Sequence, residues 1–289
     1  MNWHELVSNG VVVTDGAWGT ELQSRGLMAG ECPDAWNLSH PEQVAEVARA
    51  YSQAGSRVIL TNTFRANPIS LAAHGLADRA AEINRAGVGL SRKAADAALV
   101  FGSAGPSGKL LAAGDVSEEE LSEAFAMQCR ALAAGGADAL LLETFSELEE
   151  ALIALRAAKA TGLPVIVSFA FDTGKNKDRT MTGVTPEQAA VAMSEHGADA
   201  VGANCGVGIQ QLVELCRRMR AATKLPLWMK PNAGLPEVVD GGVAYRMTAG
   251  QFAASAPLLR DAGASFIGGC CGTTPEFIRA AAAALRRCA

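Results

Sequence analysis

Eight short aliphatic runs recur along this chain, and alanine-rich segments with helical periodicity fill the intervals between them. The runs are VVVTDG (11–16), RVILTNT (57–63), ALVFGSAG (98–105), ADALLLETF (137–145), PVIVSFAF (164–171), DAVGANC (199–205), PLWMKPNA (226–233) and SFIGGC (265–270). Each is nearly continuously apolar, as a strand buried on both faces must be, and such strands separated by helices make a parallel sheet. The intervening helices are expected over 42–54, 78–96, 117–134, 147–160, 185–196, 208–222, 248–262 and 275–287. Capping-box spellings at Ser39/Glu42, Ser117/Glu120, Thr185/Gln188 and Thr273/Glu276 agree with several of those starts. Small-residue turns at 54–56, 135–138, 196–199 and 262–265 precede four of the strands. Eight helix–turn–strand units in 289 residues predict a (β/α)8 TIM barrel, a single domain spanning 1–289. A doubly wound sheet is the alternative, but it seldom holds so many units without a second domain.

Charge narrows the functional classes. A net charge of -5 without a clustered basic face gives nucleic acid or an anionic membrane nothing to bind. The dense basic pairs, Arg217 with Arg218 and Arg286 with Arg287, fall at helix ends, where cations offset the macrodipole. The first residues carry no basic leader, and no stretch approaches the ~18 apolar residues of a membrane span, so a cytoplasmic protein is expected. Seven cysteines in such a chain point to thiols available for metal or catalysis rather than to a disulfide framework.

A barrel places catalytic groups at the C-terminal ends of its strands. Those ends carry Asp15 and Gly16, then Thr61, Asn62 and Thr63, then Ser103, Glu143 and Thr144. They continue with Asn204 and Cys205, Lys230 and Asn232, and the adjacent pair Cys270 and Cys271. Three thiols on one rim suit zinc, which takes thiolates at about 2.3 Å and in catalytic sites keeps a fourth position open. The spacing also permits a plainer reading, with Cys205 as a small core residue and GGCCG as a tight turn. Cys32, Cys129, Cys216 and Cys288 lie on loops or helices and read as packing or surface residues.

The words DGAWGTELQSRG (15–26), LTNTFRAN (60–67), GSAGPSG (102–108), LLETFSELEEA (141–151), GANCGVG (202–208), MKPNAGLP (229–236) and GGCCGTTPE (268–276) resemble the homocysteine S-methyltransferase family. They are most similar to the homocysteine-binding barrel of cobalamin-dependent methionine synthases. The resemblance implies a zinc ion held by Cys205, Cys270 and Cys271, with homocysteine as methyl acceptor. It implies that Asp15 and Glu143 hold the acceptor's ammonium and that the backbone of Gly16 and Ala17 meets its carboxylate. Asn204 is implied as a neighbour that fills the open metal position when substrate is absent.

No folate, cobalamin or reactivation sequence follows residue 289 in this chain, so the methyl group is expected from an external donor. The similarity favours a separate methyl-corrinoid protein over S-methylmethionine, S-adenosylmethionine or a betaine-like compound. Aromatic residues are only 5% of the chain, few for a quaternary-ammonium cage, with Trp18 and Trp36 the candidates. Two competing readings remain: a homocysteine or zinc binding module without its own methyl donor, and a Schiff-base lyase using Lys230.

Overall fold

The computed structural model describes residues 2–239 and 242–287; Cys288 lies outside them. Its strands are β1 (Val12–Val13), β2 (Val58–Leu60), β3 (Leu99–Ala104), β4 (Ala139–Phe145), β5 (Val165–Phe169), β6 (Ala200–Gly208), β7 (Leu227–Asn232), β8 (Pro236–Val239), β9 (Gly242–Tyr245) and β10 (Phe266–Ile267). Eight of them form one parallel sheet in the order β1-β10-β7-β6-β5-β4-β3-β2. The two ends of that sheet meet: Thr14 bridges Val58, and the Arg57 amide donates to Val13 O at 2.8 Å. The fold is a TIM barrel, as the eight runs require. Each long helix forecast from the sequence is present, with its ends displaced by no more than two residues.

Side-chain parity sets the barrel's inside and outside. Val12, Val58, Leu60, Phe101, Ala139, Leu141, Ile166, Ala200, Trp228 and Phe266 pack together as the interior cluster. Their neighbours Val13, Ile59, Val100, Leu140, Leu142, Val167, Val201 and Ile267 join the larger layer beneath the helices. Alternation of period two on strands buried on both faces accounts for the division. The N-terminal helix Trp3–Ser8 closes the floor, with Leu6 in the interior cluster and Trp3 stacked on Phe266 at 5.6 Å.

Helix starts follow local chemistry. The boxes at Ser117/Glu120 and Thr185/Gln188 form, and Thr248/Gln251 makes another. The spellings at Ser39 and Thr273 do not cap helices. Pro41 and Pro275, with φ already suited to a first helical turn, begin those helices instead. Ser39 ends the short helix Trp36–Ser39, and Thr273 Oγ1 turns back to Cys270 O at 2.7 Å. The antiparallel hairpin β8–β9, paired from Pro236↔Tyr245, is an insertion after β7 that the eight-unit pattern did not contain. Among the described residues no helix is long and apolar enough to cross a membrane.

Candidate active site

The parity that buries the core also builds the upper layer of the barrel. Two residues beyond Phe101, Leu141, Ile166 and Trp228 stand Ser103, Glu143, Ser168 and Lys230, Asn204 stands four beyond Ala200, and all five are buried. They touch as inward-facing neighbours should. Ser103 Oγ donates to Glu143 Oε1 at 2.5 Å, and Ser168 Oγ donates to Asn204 Oδ1 at 2.6 Å.

Cys205 and Cys271 have the wrong parity for this layer, and the backbone departs from strand geometry at both. Cys205 sits at φ 61°, in the left-handed region that non-glycine residues seldom adopt, where the β6–β7 register shifts between Asn204 and Gly208. Thr144 on β4 is similarly placed at φ 67°. Cys270 and Cys271 lie beyond the end of β10 in a turn pinned from two sides: Cys270 N donates to Pro231 O at 2.8 Å and Ala233 N donates to Cys271 O at 3.0 Å. Gly272, at φ 79°, supplies the left-handed step that follows them. Gly268 and Gly269 serve a different purpose, because a Cβ on either would lie 2.0 Å from Thr14 Oγ1 or 2.2 Å from Thr273 Oγ1.

These departures bring the three sulfurs within 4.8 Å of one another, with Cys205 Sγ 3.7 Å from Cys271 Sγ. Zinc–sulfur bonds of about 2.3 Å in tetrahedral geometry require sulfurs about 3.8 Å apart, so the donor set fits that ion. The protonated thiols are poor acids here. Cys205 gains from a bond with Cys270, but Cys271 and burial push it up to about 11. Cys271 is likewise favoured by Cys205, yet Cys270 and burial raise it to about 12. Cys270, donating to Cys205 and partly buried, is pushed higher still. Three thiols that resist ionising singly would ionise together on binding a cation. Cys129 and Cys216 are buried in the helical layer, and Cys32 is half-buried against the small apolar cluster of Ala66, Leu71, Ala80 and Ile83.

Beside the thiols lies a buried ionic group. Asp15 is fully enclosed: Oδ1 accepts from Lys230 Nζ at 2.6 Å, and Oδ2 accepts from Trp18 Nε1 and Leu60 N, both at 2.8 Å. Burial alone would lower the Lys230 pKa, but Asp15 and Glu143 hold it above the usual lysine range. A lysine so charged is no amine nucleophile, which argues against the Schiff-base reading. Glu143 is pushed up by burial, with Lys230 and the Ser103 bond opposing. Asn204 Nδ2 donates to Thr144 Oγ1 at 2.7 Å and lies 3.9 Å from Cys270 Sγ. Its Oδ1 accepts from Ser168 and from Thr144 N, so in this arrangement that oxygen is engaged away from the sulfurs. The Ala17 amide donates to Thr273 O at 3.2 Å, and buried Tyr51 bridges Ala17 O and Thr273 O, tying the first loop to the last.

The three thiols, Glu143, Thr144 and Lys230 line one cavity of about 790 Å³ whose walls include Trp18, Phe64, Asp34, Arg65 and Tyr245. Trp36 does not line it and stacks instead on His40 at 4.2 Å. Tyr245, from the hairpin, packs against Gly272 and hydrogen-bonds Cys271. Asp34 accepts from Arg65 N at 3.0 Å, and burial drives its carboxyl up to about 6. Sequence reasoning missed Ser168, Asp34, Arg65 and Tyr245. Parity from Ile166 could have found Ser168; the other three sit on a short 3-10 turn, a loop and a hairpin without a periodic signal.

This TIM barrel gathers at its C-terminal rim three thiols that could hold a metal ion, beside a buried carboxylate pair and a lysine. The model of the homocysteine S-methyltransferase family matches residues 12–285, so the chain belongs to that family. It is 32% identical to methionine synthase of Mycobacterium tuberculosis over 97% of its length and 25% of that protein's. It is 33% identical to betaine–homocysteine S-methyltransferase 1 of Danio rerio, covering 94% of this chain and 72% of the relative. Among solved structures, the metallated homocysteine methyltransferase MmuM of Escherichia coli superposes with a TM-score of 0.81 at 28% identity, over 97% of this chain and 98% of that one. The chain thus spans about a quarter of the methionine synthases it matches.

Proposed function

We propose that this chain is a zinc-dependent homocysteine S-methyltransferase of the cytoplasm, in which Cys205, Cys270 and Cys271 hold the metal and an external donor supplies the methyl group. The observation that carries the reading is the convergence of three sulfurs from β6 and the turn after β10, at zinc-ligand spacing, inside the cavity that also holds Glu143. When bound, zinc with three cysteinate ligands keeps an acceptor thiol deprotonated at neutral pH while leaving its sulfur electron-rich.

The chain's own residues orient and enclose. Glu143, its Oε1 held by Ser103, offers its other oxygen to the acceptor's ammonium. Asp15 contributes negative charge to the same corner through its pairing with Lys230, and Gly16 and Ala17 form the adjoining backbone wall. Asn204, clamped by Ser168 and Thr144, keeps the strand-six sulfur and its neighbour in place. Trp18, Phe64 and Tyr245 shield the reacting sulfur from water. The new S–CH3 bond forms as the donor's bond to that methyl breaks, giving methionine and the demethylated donor.

A donor screen with homocysteine as acceptor and zinc measured in parallel tests this, with a methyl-corrinoid protein, S-methylmethionine, S-adenosylmethionine and betaine as arms. Methionine formation with at least one arm by zinc-loaded protein is the expected result. Stoichiometric zinc with no methionine from any arm would leave a binding module in its place.

A further inference from the structure

Between β3 and the helix Glu118–Ala134 the chain runs for thirteen residues, 105–117, with neither helix nor strand. Ordered stretches of that length are uncommon in compact domains and generally serve a site, and their backbone amides must be satisfied by something other than a ladder. Three of these amides go to two carboxylates at the start of the helix Leu148–Lys159. Glu147 Oε2 accepts from Leu111 N at 3.0 Å and its Oε1 from Ala112 N at 2.8 Å, while Glu150 Oε1 accepts from Ser107 N at 2.7 Å. Glu147 is the N-cap residue of that helix, yet its side chain makes no cap bond and turns to the strap instead. Both carboxylates are buried, and among the described residues neither makes an ion pair. Burial pushes the Glu150 carboxyl up, and the nearby Glu147 adds to it. Two like charges buried together without a cation are a costly way to tie down a loop, so the loop's position matters. What the strap braces is the cavity wall. Gly105 N donates to Phe64 O at 2.6 Å, and a Cβ at Gly105 would overlap the Phe64 ring. Ser70 Oγ donates to Ser107 O at 2.8 Å, and a Cβ at Gly108 would lie 3.7 Å from Arg65 Nη2. Phe64 and Arg65 line the cavity that holds the thiols.

We infer that Glu147 and Glu150 are positioning residues: together they latch the strap 105–117 against Phe64 and Arg65, and so fix the wall past which the methyl donor reaches the acceptor sulfur. The link to methyl transfer rests on the enzyme reading proposed above, whereas the latch itself does not. Carboxylates are required at this place because glutamine has one acceptor oxygen, and Glu147→Gln therefore leaves Leu111 N or Ala112 N without a partner.

The test compares zinc-loaded protein with Glu147→Gln, with Glu150→Ala and with Glu149→Gln, an exposed neighbour that serves as control. Opening of the strap is read by trypsin cleavage after exposed Lys109, with cleavage after exposed Lys175 as reference. Loosening of the wall segment is read by maleimide labelling of Cys32, which packs against Ala66 and Leu71, with the core thiols Cys129 and Cys216 as references. Cleavage and labelling should both rise roughly ten- to a hundredfold in Glu147→Gln and Glu150→Ala, the range of one charge-assisted hydrogen bond, because both track the open population. Neither should change in Glu149→Gln or at the reference positions. With whichever of the four donors forms methionine, the donor's KM should rise several-fold in the two variants while the KM of homocysteine is unchanged. Cleavage and labelling that stay constant, or that rise equally at the reference positions, overturn the latch. Local opening with both KM values unmoved overturns the positioning role. Absence of methionine from every donor with the unaltered protein overturns the enzyme reading, and the latch then stands or falls on Lys109 and Cys32.

Discussion

Asp34→Asn is expected to stabilise the protein at neutral pH and to lose that advantage in acid. Asp34 is 3% exposed, and burial lifts its carboxyl from an ordinary 3.8 to about 6 against the weaker pull of Arg65. A carboxyl whose folded pKa lies above its unfolded one binds protons more readily when folded, so stability falls as pH rises between the two values. Below about 4 both states are largely protonated and the penalty nearly vanishes; above about 6 it is complete. The interval is worth about 3 kcal/mol at about 1.4 kcal/mol per pH unit. Asparagine keeps an oxygen for the Arg65 amide, now accepted at 3.0 Å, and carries no charge to desolvate. For a chain of this length the entropy of unfolding converts about 3 kcal/mol into roughly 5 °C of melting temperature. Paired thermal scans of both proteins at pH 7.5 and pH 4 cancel any acid loss they share. A gain of that order at pH 7.5 that shrinks to about 1 °C at pH 4 supports the reasoning. Equal gains at both pH values, or none at pH 7.5, refute it.

Cys205→Ala and Cys271→Ala should each abolish stoichiometric zinc and methyl transfer, and stoichiometric zinc by elemental analysis in the triple cysteine variant would remove the metal assignment. Because Cys205 and Cys271 hold their protons up to about 11 and about 12, metal competes with protons at neutral pH. Apparent zinc affinity should therefore fall steeply on acidification, by as much as about a thousandfold per pH unit if three thiols ionise together, in chelator competition corrected for the chelator's own protons. In the helix Ala80–Ala94, Gly87→Ala should destabilise, since its Cβ would meet Thr63 Cγ2 at 2.6 Å and Asn37 Nδ2 at 2.7 Å. Gly89→Ala, two residues on with nothing within 4 Å, should stabilise by up to about 1 kcal/mol in urea titration. Gly202→Ala should prevent folding, as its Cβ would lie 1.8 Å from the Trp228 carbonyl oxygen and part β6 from β7, visible as insoluble protein.

The barrel was legible because a strand buried on both faces leaves an unbroken aliphatic word, and the helices between such words keep their own period. The thiols and Glu143 were legible as strand ends carrying polar or sulfur groups, and family resemblance narrowed their roles. What periodicity does not encode is how side chains share partners. Nothing in the spelling of Asp15 and Lys230, 215 positions apart, foretells a 2.6 Å ion pair between them. Ser39/Glu42 spells a capping box as well as Ser117/Glu120 does, yet the helix starts at Pro41, one residue later than that box would place it. The glycines around the cysteine pair look alike in sequence, although Gly272 is there for its backbone angle and Gly268 and Gly269 are there for space.

Asp15 links the closing of the barrel to the chemistry above it. At the seam between β1 and β2 the backbone ladder is short, one bridge from Thr14 to Val58, and the Leu60 amide would face the gap without a partner. Asp15 Oδ2 takes that amide at 2.8 Å, extending the ladder with a side chain where the main chain has turned away. A buried carboxylate in that position needs a counter-charge, and Lys230 reaches across the barrel to provide it. With that pairing made, the lysine is held beside Cys270 and Glu143 by a requirement of the fold, independent of any substrate. The cation that lines the cavity beside the thiols is thus kept in register by the same residue that completes the sheet, so the cavity and the seam are one structure.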